Sequence, residues 1–265
     1  MNHLLYEVHN GVAYLTMNRP EARNALSLNM RTQMLEAFQN LESDDSVRCV
    51  VLQGAGEHFM SGGDVKSFKE FTRLTPEQRR LTFLNRIHNG LNGLMYTMRR
   101  LNKPVIASVQ GAVAGAGVSL ALSCDLVIAA EDSFFTLAYS HIASSPDGGA
   151  TYYLPRLVGT KKAMEIALLG DRFSAAEARD MGMINRVVPG ADIKGETRKL
   201  AERLAKGPTK AYGSIKKLIL QSSDNSLEQQ LQSEAEIFGT TAMADDWVEG
   251  VIAFNEKRKP EFTGR

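Results

Sequence analysis

Asp147 is the only acid in the stretch ASSPDGGATYY, residues 143–153, and no other side chain there can partner it in proton transfer at neutral pH. A lone carboxylate can take a proton from one atom and return it to another, whereas adding water across a bond calls for a second group. Pro-Asp-Gly is also ordinary turn chemistry, so the turn alone leaves both readings open. Two further segments carry potential chemistry in their backbone: GAGEHFMSGGDVK, residues 54–66, and QGAVAGAGVSLA, residues 110–121. Neither has the G-x-G-x-x-G spacing of a dinucleotide site, since Phe59 follows Gly54 and Gly56, and Leu120 follows Gly115 and Gly117. No Walker A sequence exists either. Glycine lets backbone N–H groups point outward and lets a ligand approach. Where a helix starts at such a turn, its first N–H groups are unpaired and carry the positive end of the dipole. Two such turns together can hold a developing negative oxygen, one donor being worth about 2.7–4 kcal/mol in the barrier. Tight packing of helix on strand is the other use of such turns.

The elements that must position these residues alternate between strand and helix. LLYEV and VAYLTMNRP read as strands joined at Asn10-Gly11, a strong hairpin signal. Ser27 can cap a helix whose Met30, Met34, Phe38 and Leu41 share one face. VRCVVLQG is a buried strand. Residues 75–101 read as one helix, with Leu81, Leu84, Ile87, Leu91, Leu94, Met98 and Leu101 stepping by three or four. PVIASVQG is a second buried strand that turns through glycines into the short helix AGVSLALS, and DLVIAAEDS and FFTLAY read as two more strands. Buried strands alternating with helices mean an α/β architecture. From about Gly195 the chain becomes amphipathic and helical, with Pro208 placed to start a new helix. The expected division is a core over residues 1–195 and a helical assembly region over 196–265.

Composition bounds the function classes. Across 265 residues, 31 Lys and Arg nearly balance 30 Asp and Glu, for a net charge of +1. That argues against a nucleic-acid or anionic-membrane partner, though not against one anionic small molecule held locally. Cys49 and Cys124 sit in apolar runs and read as buried, reduced and inert, with no zinc spacing. No signal peptide is visible, and Gln110, Ser119, Ser123 and Asp125 interrupt the apolar stretch 105–130, so the expectation is a cytoplasmic protein without a membrane span.

Together, NRPEARNALS, GAGEHFMSGGDVK, KPVIASVQGAVAGAGVSLALSCDLVIAAEDSFF, LPRLVG, GDRFSAAEARDMGMINRVV and FNEKRKPEF resemble the crotonase (enoyl-CoA hydratase/isomerase) superfamily over most of the chain. The resemblance implies a crotonase-like spiral of ββα units, a C-terminal helical trimerisation region, and a homotrimer or a hexamer built as a dimer of trimers. It also implies an acyl-CoA thioester substrate, coenzyme A being part of the substrate and no separate cofactor or metal being needed. Carried over, the oxyanion N–H groups fall on Gly63 and Ala116, where relatives often have glycine at the second position. Arg23, Ala25 and the run Met60, Ser61, Gly62, Asp64, Val65 match the part that wraps the nucleotide and pantetheine. Phe254 and Lys257 match a C-terminal pair that reaches CoA, often across a subunit boundary; a solvated helix end is the alternative for Lys257.

Hydratases of this family use two glutamates, and the matching positions here are Ser119 and Tyr139. Neither is a carboxylate. Asp147, in Ser145-Pro146-Asp147-Gly148, occupies a third position where some enoyl-CoA isomerases, ring-opened phenylacetyl-CoA isomerases, dienoyl-CoA isomerases and aroyl-CoA dehalogenases place an acid. The further acids of the dienoyl-CoA isomerases are absent, and Asn92 stands where the dehalogenases have histidine. The resemblance thus implies an enoyl-CoA isomerase of the Δ3 to Δ2 type, with hydratase, epoxyphenylacetyl-CoA isomerase and a CoA-thioester scaffold as alternatives. Ser119 and Tyr139 count as pocket residues, and residues 68–101 should line the acyl pocket: Phe68 and Phe71 are candidates, while Leu84 and Ile87 are expected in the core. A hydrolase is the outlying reading. GVSLA looks like a nucleophile elbow, but only His141 follows Ser119 as a base.

Overall fold

Asn10 and Gly11 take left-handed φ values of 51° and 73°. They close the antiparallel hairpin of β1 (Leu4–His9) and β2 (Val12–Met17). This computed structural model describes residues 2–265. From β2 the sheet continues in parallel through β3 (Cys49–Gly54), β4 (Val105–Val109), β6 (Leu126–Ala130) and β9 (Arg186–Val188), in the order β1-β2-β3-β4-β6-β9. A smaller sheet joins β5 (Ala112–Ala114), β7 (Phe134–Thr136) and β8 (Phe173–Ser174).

Alternation along β3 explains why its sequence is apolar throughout. Val50 and Leu52 enter the main core, while Cys49 and Val51 enter a second core on the other face. A strand covered on both faces has no polar side to keep. The main core takes Met30, Met34, Phe38 and Leu41 from α1 (Leu28–Ser43), whose first turn is capped by the Ser27 side chain accepting from Met30 N. The second core takes Ile193, Leu200, Ala201 and Ala205 from α7 (Ile193–Ala205). The boundary expected at residue 195 therefore falls inside a helix that packs on the sheet. Burial pushes the Cys49 thiol up to about 12 and the Cys124 thiol up as well, so neither is ionised near neutrality.

The helix expected over residues 75–101 is three pieces. α2 (Pro76–Arg86), with a Thr75–Gln78 capping box, leads through a π-helical turn at Ile87–Leu91 into α3 (Asn92–Arg100). The wide turn shifts the phase of the apolar stripe. Leu91, Leu94, Met98 and Leu101 are buried, whereas Leu81 and Leu84 are exposed, so Leu84 is not a core residue. FFTLAY is likewise not strand to its end: Ala138 takes a φ of 51°, and Tyr139–Ile142 form a 3-10 turn.

The remaining helices are α4 (Ala116–Ser123), α5 (Ala150–Leu169, interrupted at Gly159), α6 (Ala175–Asp180), α8 (Thr209–Ser222), α9 (Leu227–Thr241) and α10 (Asp245–Asn255). α8 to α10 leave Ile219, Leu231, Phe238, Met243 and Phe254 exposed. Among the described residues no helix is long and apolar enough to cross a membrane.

Candidate active site

The two glycine turns meet because the loop after β3 pairs with β5. Met60 N donates to Ala112 O at 3.1 Å, and Ala114 N donates to Met60 O at 2.8 Å. This pairing brings Gly62 against Gly115. A Cβ on Gly115 would stand 3.4 Å from Gly62 Cα, and both glycines have positive φ, 106° and 50°. The next residue on each turn is a proposed oxyanion donor. Gly63 lies between two bonds that bypass its N–H: Leu26 N donates to Gly62 O and Asp64 N to Leu26 O. Ala116 opens α4, where an N–H has no carbonyl one turn earlier to bind. Among the described residues, neither Gly63 N–H nor Ala116 N–H donates to a protein acceptor. Both residues line a cleft of about 550 Å³ that also holds Asp147.

The Asp147 turn is pinned to α4. Ser119 Oγ donates to Asp147 O at 2.8 Å. Gly148 has φ 59°, and a Cβ there would stand 2.9 Å from both Ser119 Cβ and Met95 Cε, so the turn lies too close to α4 for any larger residue. The carboxylate itself accepts from Tyr139 Oη at 2.7 Å through Oδ1. Burial pushes the Asp147 carboxyl above the ordinary carboxylate range, and the Tyr139 bond opposes that rise. Burial, followed by the Asp147 charge, drives the Tyr139 phenol far upward, so it remains a proton donor. Among the described residues lining the cleft, Asp147 is the only acid. The arrangement offers one base of raised basicity, one neutral donor that orients it, and two unpaired amides.

Ser119 is fully buried and does not line the cleft; its pocket role gives way to one of holding the turn, and a nucleophile reading fails with it. Met60 is also fully buried with both backbone groups engaged, so it shapes the loop instead of contacting a ligand. The structure does draw the segment around Arg23 and Ala25 to the run 61–65. Ser61 N donates to Arg23 O at 2.9 Å, Ser61 Oγ to Ala22 O at 3.3 Å, and Arg19 pairs with Asp64 at 3.0 Å. Of that segment and run, Gly63 and Val65 line the cleft, whereas Arg23, Ala25, Ser61, Gly62 and Asp64 do not. Asn24 went unrecognised in the sequence: fully buried, it donates to Ala55 O and His58 O and accepts from Arg19 N, fastening the two segments together. Phe254 and Lys257 lie away from the cleft of their own chain, Phe254 at 84% exposure beside a separate apolar groove with Trp247 and Phe262.

The acyl side of the cleft is aromatic and aliphatic. Phe68 and Phe83 meet edge to face with centroids 5.0 Å apart, and Ile87, Leu91 and Asn92 continue the wall. Ile87 thus belongs to the pocket and not to the core. Phe71 packs behind, 5.6 Å from Phe83, and does not line the cleft. Phe83 stands four residues before Ile87, on the same helix face, yet it was not among the residues singled out in the sequence.

Comparison with known proteins shows the family. The family model described as enoyl-CoA hydratase/isomerase matches residues 7–265. The chain is 38% identical over 265 residues, the whole of both chains, to 1,2-epoxyphenylacetyl-CoA isomerase of Escherichia coli (strain K12). It is 32% identical over 262 residues to trans-2-decenoyl-acyl-carrier-protein isomerase of Streptococcus mutans, covering 99% of this chain and 98% of that one. The crystal structure of an enoyl-CoA hydratase from Polaromonas sp. JS666 matches with a TM-score of 0.90 at 34% identity, over 98% of this chain and 99% of that one. With the crotonase fold, the family motifs and this match in hand, the chain is an enzyme that belongs to the enoyl-CoA hydratase/isomerase family.

Proposed function

We propose that the enzyme moves a double bond in an acyl-CoA thioester, Δ3 to Δ2, by proton transfer through an enolate. The observation that carries the reading is the single carboxylate. Asp147 lines the cleft with its Oδ1 held by Tyr139, while both positions where a hydratase keeps its glutamates are filled by groups that bind Asp147 itself. Asp147 removes a proton from the carbon alpha to the thioester. The N–H groups of Gly63 and Ala116 receive the negative oxygen that develops, and Asp147 returns the proton to the far carbon. Raised basicity from burial suits the first step, and one acid is enough because both transfers occur on one face. Among the described residues lining the cleft no second carboxylate is present, which speaks against water addition.

Asp147→Asn tests this: it should abolish conversion of a 3-enoyl-CoA and alpha-deuterium exchange in deuterated water while thioester binding survives. Normal turnover by that variant, or brisk hydration of crotonyl-CoA by the wild type, overturns it. The full-length match to an epoxyphenylacetyl-CoA isomerase and the aromatic wall at Phe68 and Phe83 favour a second reading, isomerisation of an epoxyphenylacetyl-CoA by the same aspartate and amides. Assembly as a trimer or dimer of trimers belongs to the same proposal. The exposed apolar side chains of α8 to α10 support it, and light scattering measures it. In such an assembly Phe254 and Lys257 would serve the CoA of a neighbouring cleft.

A further inference from the structure

We propose that the acyl chain taken by this cleft ends in a carboxylate, received by Arg31 and Arg86. The inference rests on the acyl-CoA reading above and names the class of acyl group. Both arginines line the cleft. Among the described residues neither forms an ion pair with an acid, and Asp147 is the sole acid on the lining. Arg31 Nη1 donates to Arg86 O at 2.6 Å, which brings α1 against the end of α2. Gly90 leaves the space the Arg31 guanidinium occupies, since a Cβ there would collide with it. The Arg86 guanidinium makes no hydrogen bond among the described residues and lies over two rings, 5.8 Å from the Phe68 centroid and 5.2 Å from that of Phe71.

A wall built for a plain hydrocarbon has no use for two half-buried cations without counter-charge, because desolvating a charge is costly unless it is paired. Burial and the neighbouring Arg86 already depress the Arg31 guanidinium, and the attraction of an incoming anion offsets both effects. A guanidinium lying over rings keeps its N–H groups free for two-point binding of a carboxylate. The position fits a chain terminus. Phe68 Cζ would stand 3.5 Å from a Cβ on Gly63, so a single ring spans the gap between the oxyanion donor and Arg86. A carboxylate there lies a few carbons beyond the thioester. CoA phosphates are the other anions within reach, but Arg86 stands on the aromatic wall and not on the loop that joins residues 19–25 to Ser61 and Asp64.

Calorimetric titration of the full chain with matched saturated acyl-CoAs, ending in methyl or in carboxylate over a short series of chain lengths, tests the proposal without any turnover. At one length the carboxylate should bind about 10-fold tighter or better, as a charge-assisted pair allows. Arg86→Gln should bring the two to parity, and Arg86→Lys should restore part of the gap. Equal binding in the wild type at every length overturns the proposal. So does a loss in Arg86→Gln that is equal for both thioesters and for free CoA, which would assign the arginine to the phosphates. Alpha-deuterium exchange on the same complexes reports separately on the enolate chemistry, so its failure and the failure of this inference are distinct results.

Discussion

Asp125 and Asp147 are both pushed toward protonation by burial, yet only the first is given a cation. Lys216 from α8 reaches Asp125 Oδ2 at 2.9 Å, and Val105 N donates to the same oxygen at 2.8 Å. Asp147 receives a neutral phenol instead. A buried carboxylate with a cation and an amide is held ionised and ties elements together. One with a single neutral donor keeps its raised basicity available to whatever enters the cleft. The difference separates a structural acid from the one proposed as the base, without reference to any relative.

The sharpest break in that comparison is to remove each charge in turn. Asp147→Asn should lower turnover of a 3-enoyl-CoA by about 10³-fold, within the usual range for a positioned acid-base group. Its melting temperature at neutral pH should not fall. A carboxyl raised in the fold opposes folding wherever the unfolded group is ionised, so the neutral variant gains above the ordinary carboxylate range. The gain fades as pH drops far enough to protonate Asp147 in both states. Asp125→Ala should do the reverse. It strands Lys216, whose side chain is only 9% exposed, and should cost about 3 kcal/mol in denaturant unfolding while leaving turnover per folded molecule near wild type. If both variants lose stability alike, the two acids are not the contrasting pair described.

Tyr139→Phe sharpens the comparison by withdrawing the only donor to Asp147 Oδ1 recorded among the described residues. The phenol favours the ionised carboxylate, so its loss raises the Asp147 pKa further. The base is then half ionised at a higher pH, and the acid limb of the pH–rate profile should move upward. Near that limb the rate should fall about 10-fold, the worth of one hydrogen bond to a charged group, with a smaller loss at alkaline pH. A uniform loss across pH would mean that Tyr139 only fills space.

Much of this was legible in the sequence because it rests on local rules. The Asn10-Gly11 hairpin, the Ser27 cap and the doubly covered strand at Val50–Leu52 follow from residue type and period. The family motifs led to Gly63, Val65, Ala116, Tyr139 and Asp147 on the cleft lining, but also to Arg23, Ala25, Ser61, Gly62, Asp64 and Ser119, which do not line it. The Tyr139–Asp147 bond was not legible, since it depends on the chain reversing between them, where Ala143 takes a left-handed φ of 53° and residues eight apart come face to face. Nor was the π turn at Ile87–Leu91, which breaks a stripe that reads as continuous and moves Ile87 and Phe83 to the cleft. The pairing of Arg31 with the Arg86 carbonyl spans 55 positions and leaves no local trace.

Ser119 carries the smallest expected effect and the most selective one. It stands where a hydratase would keep an acid, yet its hydroxyl is spent on the Asp147 carbonyl at 2.8 Å. Ser119→Ala removes that bond and leaves the packing against Gly148 almost intact, because the Cβ that Gly148 accommodates is retained. The cost in denaturant unfolding should be about 1 kcal/mol, the net worth of a neutral hydrogen bond. Turnover should fall by less than in Tyr139→Phe, since the carboxylate keeps its phenol and only the turn that carries it loosens. The acid limb should stay where it was, because Ser119 touches the carbonyl and not the ionising group. A shift of that limb as large as the Tyr139→Phe shift would mean that the serine acts on the carboxylate itself, and the division of labour between the two residues would have to be redrawn.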